Sequence, residues 1–131
     1  MNDKMDKILA EISAGELIDK ITILEIKKDK IADREKLANV EKELTSLNQT
    51  LKKYITDPNK IANFKEDLKN INLKLWDIED GKRSAEKNKK FDEKFIELAR
   101  NVYKFNDERA KIKLEINNTL GSNIKEVKSY K

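Results

Sequence analysis

Two stretches of this chain step through their apolar residues by threes and fours. Leu37, Val40, Leu44, Leu47, Leu51 and Tyr54 advance by 3, 4, 3, 4 and 3 positions. Ile61, Phe64, Leu68, Ile71, Leu75 and Ile78 repeat the same rhythm. A helix turns once in about 3.6 residues, so this stepping lays a narrow apolar seam along one face. A strand would need alternation by twos, and no such run occurs. The chain is therefore expected to be all-α, built of antiparallel helical hairpins or an elongated four-helix bundle with coiled-coil-like seams. The composition agrees: 41% of residues are charged, and 3 Gly and 1 Pro leave little turn material. High polarity can signal disorder, but apolar positions this regular argue against it.

Local signals place the boundaries of a single domain, residues 1–131. Ser13 and Glu16 form an S-x-x-E capping box, with Ile12 and Leu17 as its hydrophobic staple. The first helix is read as 14–32. Leu17, Ile21, Leu24 and Ile31 share one face, while Ile18, Ile23 and Ile26 point elsewhere. A helix apolar around much of its girth is either central in a bundle or at a subunit contact. The second helix is read as 34–55, starting at an Asp33 cap or continuing from the first through a kink. Asp57-Pro58 pairs an N-cap with proline at the first helical position, opening a third helix over 58–87. Gly81 lies inside it and costs about 1 kcal/mol relative to Ala, so an end near Gly81 stays open. Asp92 caps a fourth helix over 92–120, with Phe91 and Ile96 as its staple, and Gly121 stops it. A short basic tail, 122–131, follows.

Several function classes are excluded early. There is no Cys and no His. Disulfides, thiolate chemistry, the commonest general base and the commonest zinc ligand are therefore absent. No metal or cofactor is expected, since Gly15, Gly81 and Gly121 are isolated and form no phosphate loop. No apolar run approaches the ~20 residues of a membrane span, and the N-terminus lacks a signal-peptide core, which points to the cytoplasm and to no membrane insertion. The net charge is +4 with the signs interspersed. The densest basic run, 82–94, also holds Glu86, Asp92 and Glu93, and reads as a solvated stretch rather than a nucleic-acid surface.

One row of residues breaks the pattern. On the fourth helix, Phe105, Ile112 and Ile116 form one apolar stripe and Tyr103, Ala110 and Leu114 a second. Between them, at about 100° per residue, fall Asn106, Arg109, Lys113 and Asn117. On the third helix, Asn72, Glu79, Arg83 and Glu86 fall between Leu75 and Ile78 on one side and Leu73 and Trp76 on the other. If the two helices are antiparallel neighbours, Glu79 and Glu86 are expected to meet Arg109 and Lys113. Buried charges need partners, because desolvation costs several kcal/mol per ion. The row is then either a structural network that sets helix register or a pocket for a small anionic or sugar-like ligand. Glu25, Lys27, Asn72, Trp76 and Tyr103 are second-tier members. Glu16 and Asp19, spaced i, i+3, read as a cap and a solvated carboxylate rather than a metal pair.

The residues also carry a resemblance. The run Gly15 to Lys27, Leu75-Trp76-Asp77-Ile78-Glu79-Asp80 with Arg83 and Glu86, and Phe95 to Tyr103 form its first part. Asn106-Asp107, Arg109-Ala110, Lys113, Ile116-Asn117, Gly121-Ser122 and Lys128-Ser129-Tyr130 complete it. Together they resemble a domain-of-unknown-function family of small, all-helical bacterial and phage proteins. The resemblance implies neighbours among glycosyltransferase and tetratricopeptide genes of cell-surface polysaccharide synthesis, and no reaction. An apolar residue in place of Lys82 and a non-glycine at position 81 would fit the family pattern better. The expected role is a helical interaction or accessory protein, a homodimer through helix one or the Leu37–Tyr54 seam. The alternative is a small helical enzyme of mutase-like or transferase-associated type that uses the Arg, Lys and Glu of the same row.

Overall fold

A computed structural model describes residues 5–127, and Lys128, Ser129 and Tyr130 of the resemblance lie outside the described residues. Four helices follow in order: α1 (Ala14–Lys30), α2 (Arg34–Tyr54), α3 (Ala62–Asn88) and α4 (Glu93–Leu120). No strand occurs among the described residues. Each start has a local cause. Ser13 Oγ accepts from Glu16 N–H, Asp33 from Glu35 N–H and Asp92 from Phe95 N–H. Asp33 thus caps a separate α2, and the chain turns through Ile31 to Asp33 instead of kinking. Pro58 opens a 3-10 turn, Pro58–Lys60, and α3 proper begins after it.

α3 runs through Gly81 and stops at Lys89, whose backbone is left-handed at φ 55°. Gly121 ends α4 in the same conformation at φ 65°, where a glycine has no side chain to strain. Phe91 packs edge-on against Phe95 (centroids 5.2 Å apart) and leaves Ile96 exposed, so the expected Phe91–Ile96 staple does not dominate that turn.

α1 is the centre. It touches α2, α3 and α4, and α3 and α4 pair as a hairpin. Leu17, Ile21 and Leu24 bury against Val40 and Leu44 of α2. Ile18, on another side, joins Ile61, Leu68 and Ile116 in a second core, which Leu51 also reaches. The apolar girth of α1 is therefore consumed within the chain. So is the α2 seam, although Tyr54 at its end is exposed. The two surfaces expected to hold a second copy, helix one and the Leu37–Tyr54 seam, are thus largely occupied from inside. No helix among the described residues is long and apolar enough to cross a membrane.

Candidate functional site

The polar row of α4 does turn inward, but it meets α1 rather than the acidic residues of α3. Asp19 is 0% exposed. Arg109 grips its carboxylate with two nitrogens: Nε donates to Oδ1 at 2.9 Å and Nη2 donates to Oδ2. Asn72 Nδ2 donates to the same Oδ1 at 2.9 Å and to Thr22 Oγ1 at 2.9 Å. Lys113 Nζ donates to Glu16 at 2.6 Å and stands 3.9 Å from Asp19 Oδ2. The result is a closed network of two acids and two bases joining α1, α3 and α4. A fork-on-fork pairing of guanidinium and carboxylate is the strongest form of such a contact. The bond to Asp19 pushes the Arg109 guanidinium pKa above its ordinary value, against desolvation, which lowers it, and the charges of Asp19 and Glu16 add to the rise.

The expected pairing across α3 and α4 is corrected on this point. Glu79, whose side chain is 51% exposed, pairs with Lys82 one turn along its own helix. Glu86 pairs with Lys89 in the same way. Among the described residues neither forms an ion pair with Arg109 or Lys113. Asp19, read as solvated, is the buried partner instead. A signal was present: Ile23 and Ile26, which lie off the main α1 stripe, flank Asp19 on the helical wheel. A carboxylate among buried isoleucines must sit inside the protein and needs a cation.

Asn117 has another task. Its Oδ1 accepts from Gly15 N–H at 2.7 Å. Ala14 N–H donates to Ser122 Oγ, and the Ser13 hydroxyl donates to Glu126. The amides that open α1 are thus capped from the far end of the chain, where a helix start otherwise leaves them orphaned. The approach is close: a Cβ on Gly15 would lie 2.5 Å from the carbonyl oxygen of Lys113.

Above the Arg109–Asp19 pair the three helices leave a groove of ≈ 410 Å³. α1 supplies Ile23 and Ile26, α4 supplies Val102, Asn106 and Arg109, and α3 supplies Asn72, Leu75, Trp76, Glu79, Asp80 and Arg83. Trp76, Glu79, Asp80 and Arg83 are spaced i, i+3, i+4 and i+7, so one face of α3 forms a wall. That wall needs α3 to continue past Gly81, as it does. Arg109 lines the groove too, and its Nη1 donates one long bond (3.4 Å) to Asn106 Oδ1. Among the described residues Arg83 and Asp80 form no ion pair. The second-tier residues divide. Asn72 and Trp76 line the groove, whereas Tyr103 faces solvent. Glu25 pairs with Lys65 (3.1 Å) and Lys69 (3.4 Å), and Lys27 is half-buried with no ion pair among the described residues. Of the α4 row, Lys113 and Asn117 do not line the groove. Among the described residues no set of carboxylates is arranged to hold a metal ion.

A family model matches residues 8–131. The chain belongs to DUF6165, a family of unknown function. No curated protein and no solved structure matches it. The match takes in all four helices, and with them the α1–α4 ion pairs and every residue lining the groove. The DUF6165 assignment names no reaction, so the chemistry has to be read from the groove itself.

Proposed function

We propose that the chain is a cytoplasmic helical accessory protein that holds a small polar, anionic ligand in the groove between α1, α3 and α4. One observation carries this reading. Arg83, which forms no ion pair among the described residues, and Arg109 border the same ≈ 410 Å³ space as Trp76, over a base locked by the Asp19 ion pair. The volume suits a small-molecule site, and apolar walls with a few convergent polar groups are the usual composition of one. Two guanidinium groups favour carboxylate or phosphate. Trp76 offers a flat apolar face, and Asn106 and Asp80 suit hydroxyl groups. The enzyme alternative has less support. Lys113 and Glu16 neutralise each other, and neither lines the groove.

Heteronuclear NMR on the full chain tests this with inorganic phosphate, dicarboxylates, sugar phosphates and nucleotide sugars. The sugar compounds test a link to surface-polysaccharide synthesis. Binding should move the Trp76 indole resonance, and Arg83→Ala should weaken it about tenfold or more, as expected for a charge-assisted bond, without lowering the melting temperature. If no compound moves that resonance at millimolar concentration, the groove is not an anion site.

We also infer self-association, on a surface other than the two expected. Ile96, Tyr103 and Leu114 are exposed. Their spacing of seven and eleven residues puts them on one outer stripe of α4.

A further inference from the structure

The segment before α1 has an unused pattern. Met5, Ile8, Leu9 and Ile12 are spaced i, i+3, i+4 and i+7, which gathers them on one face of a helix. Yet residues 5–12 have no regular structure, and Ile8 and Leu9 are 78% and 87% exposed. Eight residues are too few to hold a helix in water without something to pack on. The same chain leaves an apolar stripe exposed, at Ile96, Tyr103 (63% exposed) and Leu114.

We propose that residues 5–12 are a docking arm that folds as a short amphipathic helix on the α4 stripe of a second copy of this chain. This rests on the self-association reading and names its occupant. Three observations favour another copy. First, Asn123 Nδ2 donates to Glu11 at 2.7 Å, just past the C-terminal end of α4, so the arm leaves the body there. Gly15 lies against Lys113, so the root of the arm is at the Leu114 end of its own stripe. In an antiparallel pairing of two α4 helices, the Leu114 end of one meets the Ile96 end of the other. Each arm then arrives beside Ile96 and Tyr103 of the second copy. Second, the charges match. The arm carries Asp6 and Glu11 against Lys7, while Arg100 and Lys111 flank the stripe on one side of Asp107. Third, the stripe alone is small. Three apolar side chains interrupted by Asp107 fall well short of the ~1,200 Å² that stable interfaces bury, and the arm adds four more from each copy.

Sedimentation equilibrium of the full chain at tens of micromolar decides the matter. The expected mass is twice the 15.3 kDa of one chain. The arm variant Ile8→Asp/Leu9→Asp and the stripe variant Tyr103→Asp/Leu114→Asp should each halve that mass. The thermal melt of diluted, monomeric arm variant should equal that of the diluted parent, because neither substituted residue packs within the chain. A parent that is monomeric overturns both the self-association reading and the arm. A dimeric arm variant beside a monomeric stripe variant leaves self-association standing and overturns the arm. A dimeric stripe variant shows that α4 is not the dock. Loss of lipid-vesicle binding by an arm variant of unchanged mass would assign the segment to a membrane surface, and would also overturn the proposal.

Discussion

Replacing Arg109 with Ala is the most direct perturbation of the polar network. It removes both nitrogens that hold Asp19, whose side chain is wholly buried. Breaking a buried ion pair from one side typically costs about 3–5 kcal/mol, because the remaining charge is left without its partner. Two features of the structure place Arg109→Ala near the lower end. Asn72 still donates to the carboxylate at 2.9 Å, and Lys113 already stands 3.9 Å away. Arg109 itself is 28% exposed, so water can enter where its side chain was. A loss of about 3 kcal/mol in a chain of this size lowers the melting temperature on the order of 10 °C. Circular-dichroism melts measure it, with exposed Lys104→Ala as a control expected within about 0.5 kcal/mol. Two double variants separate the pairing found from the pairing first expected. Arg109→Met with Asp19→Leu should recover much of the loss, since packed apolar residues can replace a buried pair. Arg109→Met with Glu79→Leu should not, because Asp19 stays buried and Glu79 pairs with Lys82 rather than with Arg109. An Arg109→Ala melt equal to the parent, or recovery through Glu79, would refute the argument.

Two glycines give predictions of opposite sign. Gly15→Ala should destabilise the fold by about 2 kcal/mol or more, seen as a lower melting temperature, since the new Cβ would meet the Lys113 backbone at 2.5 Å and cannot displace it cheaply. A melt at or above the parent's would mean that α1 and α4 can separate freely. Gly81→Ala should raise stability by up to about 1 kcal/mol, the helix-propensity gain, because the nearest atom is the movable end of Leu98 at 3.1 Å. A loss of that size in a urea titration would show Leu98 to be fixed.

Much of the architecture could be read before any coordinates. The caps at Ser13, Asp33 and Asp92 and the stop at Gly121 depend on hydrogen bonds that span at most a few residues, so their sequence signals are self-contained. The stop at Lys89 was less legible, because a left-handed lysine carries no compositional mark and Gly81 offered a competing end. The inward turn of Asn106, Arg109 and Lys113 followed from helical geometry alone. What they would meet did not. Glu79 and Glu86 were reasonable partners for a hairpin considered by itself. A hairpin taken alone lacks α1, which lies against both helices and brings its own carboxylates.

The same division holds for the groove. Trp76, Glu79, Asp80 and Arg83 share a face because the helix repeat puts them there, and this is a property of the sequence. That the face borders a cavity, and that Arg83 lines it, depends on how three helices cross. The amino-acid sequence by itself determined the helices, their caps and which residues share each face, because these are set by steric and hydrogen-bonding rules acting over three or four positions. Only the tertiary structure decided that Asp19, 90 residues from Arg109 along the chain, is its partner. Several carboxylates could satisfy one guanidinium in charge alone. The choice among them is made by the burial of the α1 isoleucines, which carries Asp19 into the interior and leaves Glu79 in water.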